Sequence, residues 1–109
     1  MKLDLAKLAT DMFNAAFPIL KHDAPEIANF ARGEFQKLAQ QIITIEEELE
    51  AKQITSEQAR ILIDMQKSAA RVVLLTAKGL SLLTVEKALN AALDVVKTAL
   101  NAATGVAIL

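Results

Sequence analysis

The feature that most constrains this chain is an unbroken seam in its first half. Ala28, Ala31, Phe35, Leu38, Ile42, Ile45 and Leu49 recur at alternating steps of three and four. That spacing keeps every member on one face of an α-helix and repeats for three heptads. A strand would place successive members on opposite faces. The β-branched run Ile42, Ile43, Thr44, Ile45 suggests a strand locally. The surrounding heptads and the Glu46-Glu47-Glu48 run outweigh it.

The residues after the seam are equally informative. Thr55 precedes a second periodic segment and Gln58 stands three residues on, the spacing of a capping box. Two periodic helices joined by a short polar turn form an antiparallel hairpin. Upstream, Leu5, Leu8, Met12 and Ala16 (or Ala15) share the face of another helix. Pro18 lacks a backbone donor and disfavours helical geometry at Phe17, so this helix is predicted to stop there. The stretch 18–24 becomes a connector, with Asp23 capping the seam helix and Glu26 completing its capping box.

The last third differs in character. Of 25 charged residues only Lys78, Glu86, Lys87, Asp94 and Lys97 fall after Arg71. Its polar positions, Lys87, Asn90, Asp94, Lys97, Asn101 and Thr104, form one narrow helical stripe. Nearly everything else there is Ala, Leu or Val, so most of the circumference calls for burial. Ala88-Leu89-Asn90-Ala91-Ala92 returns eleven residues later as Ala99-Leu100-Asn101-Ala102-Ala103, a weak internal repeat. The earlier polar stripe of Arg60, Asp64, Lys67, Arg71 and Lys78 is rotated about 110° from the later one. A break near 79–84 lets both stripes face water.

The fold class predicted is all-α: a three- to four-helix bundle on an antiparallel helical hairpin, with an apolar C-terminal helix. Residues 1–109 form one domain, with helices at about 2–17, 25–52, 56–78 and 82–104. Three glycines and two prolines leave little material for loops.

Composition excludes several chemistries. The chain has no cysteine and a single histidine, His22, so thiolate metal sites, iron–sulfur clusters and two-histidine sites are ruled out within one chain. No Gly-rich phosphate loop or nucleophile elbow is present. His22, near Asp23 and Glu26, reads as a solvated or capping residue. The run Glu46, Glu47, Glu48, Glu50 reads as a solvated face, since consecutive helical positions diverge. No cofactor, metal ligand or catalytic residue is assigned, and the chain is expected not to be an enzyme.

Binding to nucleic acid is disfavoured by a formal net charge of −1 and by few aromatics. The absence of a signal-peptide core and of a long apolar run gives a cytoplasmic expectation. The surplus of apolar residues beyond Arg71 leads to the functional expectation: a non-enzymatic structural or protein–protein interaction protein that self-associates through its C-terminal helix. Leu89, Ala92, Val96, Ala99 and Ala103 are the interface residues that reading names. The alternative is a membrane-active protein, lipid-binding or pore-forming, that exposes the same helix at a bilayer.

Overall fold

The computed structural model describes residues 3–77 and 79–104. Four helices make up the fold: α1 (Leu5–Asp23), α2 (Ala28–Glu50), α3 (Ser56–Leu74) and α4 (Leu82–Thr104). A single 3-10 turn, Pro25–Ile27, leads into α2. No strand occurs among the described residues. Consecutive helices run antiparallel, and α4 returns alongside α1, closing an all-α four-helix bundle about 41 Å long. That length matches a 23-residue helix, which rises about 34 Å at 1.5 Å per residue, plus its turns.

α1 organises the packing, because it is sandwiched between α4 and α2. Its Leu8, Met12, Phe13, Ala16 and Leu20 are all buried. Phe13 stacks on Phe17 with ring centroids 5.0 Å apart. The Arg32 guanidinium of α2 lies 4.2 Å over the Phe13 ring, a cation–π contact that joins the two helices.

The break expected at Pro18 does not occur. α1 continues through Pro18 to Asp23, six residues beyond the predicted end. Pro18 lies on the exposed side, as does Asn14, whose carbonyl loses its intrahelical donor. That carbonyl therefore faces water. Beyond the proline, Leu20 is wholly buried. Burying such a side chain is worth about 1.5–3 kcal/mol, enough with its neighbours to offset a proline cost of about 3 kcal/mol.

α2 carries the seam as read: Ala31, Phe35, Leu38, Ile42 and Ile45 are buried. Its buried face is wider, however, and takes in Glu34, Ala39 and Glu46 as well. A seven-position seam describes contact with one neighbour, whereas α2 touches α1, α3 and α4.

The α2–α3 turn closes as a Schellman motif. Gln53 N–H donates to the Glu48 carbonyl at 2.9 Å and Lys52 N–H to that of Leu49 at 3.1 Å. The left-handed residue this motif requires is Lys52, with φ of 59°. Thr55 then caps α3, and the reciprocal bond from its N–H to Gln58 Oε1 completes the box at 2.9 Å.

α3 stops at Leu74, four residues short of the predicted end, and α4 begins at Leu82. Gly79, with φ of 96°, makes the turn; a Cβ there would lie 3.5 Å from the Asp23 carbonyl oxygen. Two cross-links fix the α3–α4 register: Arg71 donates to Glu86, and Lys67 Nζ donates to Asn90 Oδ1 at 2.9 Å.

Asp23 does not cap the seam helix, whose entry at Ala24 and Ile27 has no side-chain cap. It serves α4 instead. Its Oδ2 accepts from Thr84 Oγ1 at 2.6 Å and from Ser81 Oγ at 3.4 Å, while Ser81 Oγ accepts from Thr84 N–H. A carboxylate at a helix N-terminus also meets the positive end of the macrodipole.

Lys52→Gly is expected to stabilise the fold by about 1 kcal/mol, because only the β-carbon opposes the left-handed conformation. The midpoint of urea unfolding checks this. In the core, Leu89→Ala should cost about 2–5 kcal/mol by the same measurement.

Candidate functional site

The interface residues read from the sequence lie mostly inside the bundle. Leu89, Ala92 and Val96 have no exposed surface, and Val85, Ala88 and Leu100 join them in one continuous core with α1. Ala99 and Ala103 are half-buried. Most of the apolar surplus of α4 is therefore taken up by the chain itself, chiefly against α1, while Leu82 and Leu83 at its start stay 56% and 66% exposed. Outward, α4 presents most of the polar stripe read from the sequence: Lys87, Asn90, Asp94 and Lys97 are exposed and Asn101 is half-buried, while the side chain of Thr104 lies outside the described residues. No helix of the described residues is long and apolar enough to cross a membrane.

Among the described residues the longest row of exposed large apolar side chains is on α3. That helix buries only Ala59, Ile63 and Leu74. On its outer side Ile61 is 55% exposed, Met65 59% and Val72 66%, and Leu75 just past its end is 38% exposed. With the exposed Ser68 between them, these residues stand at steps of four, three, four and three. This is the spacing of a helix-pairing seam, and it points away from the core. Leu82, 56% exposed, starts α4 at the same end of the bundle as Leu75. Isolated exposed apolar residues are ordinary, but a row aligned along one helix face is not.

Charged groups border this row. Asp64 and Arg71 each stand immediately before an apolar member, Met65 and Val72. Asp64 is exposed, and Arg71 is about one-third exposed, held on its other side by Glu86. The guanidinium keeps the Glu86 carboxyl below the usual carboxylate range. Lys67 and Arg71, members of the earlier polar stripe, thus serve first to tie α3 to α4. Lys78 lies outside the described residues.

The acidic run divides. Glu47 and Glu50 are exposed and Glu48 half-buried, but Glu46 is only 1% exposed, against the expectation of a solvated face. Position 46 falls four residues after Ile42, on the broader face that α2 turns inward. Both carboxylate oxygens of Glu46 lack a hydrogen-bond partner. Burial, first, and the neighbouring charge of Glu50, second, push its carboxyl above the ordinary value. Among the described residues no donor or cation pairs with it, so the group is a local cost to stability rather than an acid–base pair.

His22 has an 88% exposed side chain and shares a 3.2 Å hydrogen bond with Asp23. The Asp23 carboxyl is lowered by its bond from Thr84 and then by that from His22. Among the described residues no group of three His, Asp or Glu side chains comes together to hold a metal ion.

A groove of about 720 Å³ runs between α1 and α4 over Leu3, Leu8, Val95 and Ala99. Its acids along α1 are engaged locally: Asp4 caps α1 through the N–H of Lys7, and Asp11 pairs with Lys7 Nζ at 2.7 Å. Nothing in it gathers the convergent polar groups of a reaction centre. Comparison with models of known protein families, with curated proteins and with solved structures finds no match.

The raised Glu46 carboxyl gives a signed pH dependence. Its contribution to stability is whole below about pH 4.5, its ordinary value, and is lost as pH rises through the higher folded value. Glu46→Gln is expected to flatten stability across that range and to leave the variant more stable than wild type at neutral pH. Urea midpoints taken from pH 4.5 to 7.5 read both effects.

Proposed function

We propose that this chain is a non-enzymatic structural or interaction protein that self-associates, and that the contact is made by the outward face of α3 rather than by α4. One observation carries the reading: Ile61, Met65, Val72 and Leu75 form a helix-pairing row that no element of the described residues covers. Withdrawing such side chains from water is the main driving force for association. A second helix is the shape that fits a 4-3-4-3 row.

Three further features support it. α3 is the least buried helix of the bundle, so its outer face can be covered without opening the core. Its position is fixed by the capping box, Arg71–Glu86 and Lys67–Asn90, so the row is presented on a braced element. Ser68 and the neighbouring Ala69 are small and exposed, which permits close approach of a second backbone. Exposure of α4 at a bilayer, the other reading of the sequence, would require Val85, Ala88, Leu89, Ala92, Val96 and Leu100 to leave the core together.

Sedimentation equilibrium at micromolar concentration tests the proposal. The wild-type chain is expected to associate. Met65→Lys with Val72→Lys, both at exposed positions, should give a monomer with an unchanged far-ultraviolet circular dichroism spectrum. A wild-type chain that remains monomeric at high micromolar concentration removes the reading.

A further inference from the structure

The charge order along the α3 row says how two copies meet, an inference that rests on the self-association reading. We infer that two α3 helices pair antiparallel, with a two-fold axis between Met65 and Ser68, and that Asp64 of each copy faces Arg71 of the other.

With Met65 and Val72 at the a positions of a heptad, Ile61, Ser68 and Leu75 occupy d. Asp64 and Arg71 then occupy g, and Leu62, Ala69 and Thr76 occupy e. In a parallel pair each g residue faces an e residue of the other helix. Both charges would then meet neutral side chains. In an antiparallel pair g faces g. The acidic g position lies toward the N-terminal end of α3 and the basic one toward the C-terminal end, so reversing the second copy brings opposite signs together twice. The macrodipoles favour the same orientation. Arg60 stands off this seam, at the c position that Lys67 also holds one heptad later.

The charges also select the register. With the axis between Met65 and Ser68, Ile61 lies level with Val72 of the second copy and Met65 with Ser68, a large side chain against a small one. Sliding by one heptad would set Arg71 beside Arg71 of the other copy, which is repulsive. In the favoured register Arg71 bridges its own Glu86 and the second copy's Asp64.

The chain contains no cysteine, so single cysteines report the arrangement cleanly. Ile61→Cys and Val72→Cys are made separately, checked for an unchanged dichroism spectrum, and oxidised mildly alone and as a mixture. In the antiparallel pair two copies of position 61 lie eleven residues apart along the axis, about 16 Å, beyond disulfide reach. The mixture is expected to form covalent dimer at several times the yield of either variant alone. Asp64→Lys should weaken association several-fold, since it sets Lys against Arg71. Equal cross-linking by each variant alone means a parallel pair and overturns the inference while leaving self-association standing. Association by sedimentation with no cross-link from any sample places the contact on another face and overturns both.

Discussion

The bundle depends on the burial of α1 between α4 and α2. Leu8, Met12, Ala16 and Leu20 supply one continuous apolar line, and α4 lays Val85, Leu89, Ala92, Val96 and Leu100 against it. That contact uses the greasiest part of the chain. It also sets the place of everything else: α2 covers the other side of α1, and α3, tied to α2 by a short turn, receives the edge that remains. The polar links at the α1–α4 end, Asp23 to Ser81 and Thr84, hold α4 in register where its helix begins.

Because the core is satisfied by α1, α2 and α4, α3 is left with two different faces. Its inner line of Ala59, Ile63 and Leu74 completes the core. Its outer line is apolar without being needed there. In a chain of ordinary composition such positions carry Lys, Glu or Gln, which cover a helix surface at no cost to solubility. The cations α3 does carry at Lys67 and Arg71 are turned to α4 instead. The outcome is a peripheral helix braced on its flank and apolar on its front.

Much of the fold was legible because helical period survives local noise. The seam of α2, the Thr55 capping box, the break between α3 and α4 and the polar stripe of α4 all depend on residues within a few turns of one another. The misreadings share the opposite cause. Pro18 obeys its local preference only if nothing beyond it is worth burying, and Leu20 is. Asp23 is well placed to cap the helix after it, yet a helix start 58 residues further on claims its carboxylate. Glu46 looks solvated in a run of acids, and only the number of neighbours around α2 shows that its position turns inward. Leu89, Ala92 and Val96 are buried in the chain's own core for the same reason: an apolar helix is visible in sequence, but whether its own chain covers it is not.

The helical period of each segment, the α2–α3 hairpin and the Thr55 capping box were thus set by the sequence alone, since each comes from the 3.6-residue period and from donors and acceptors a few residues apart. Which faces are covered was decided only by the tertiary structure. Covering a face is a competition among distant segments for one core, and the larger apolar surface of α4 won it. That left the row of Ile61, Met65, Val72 and Leu75 outside.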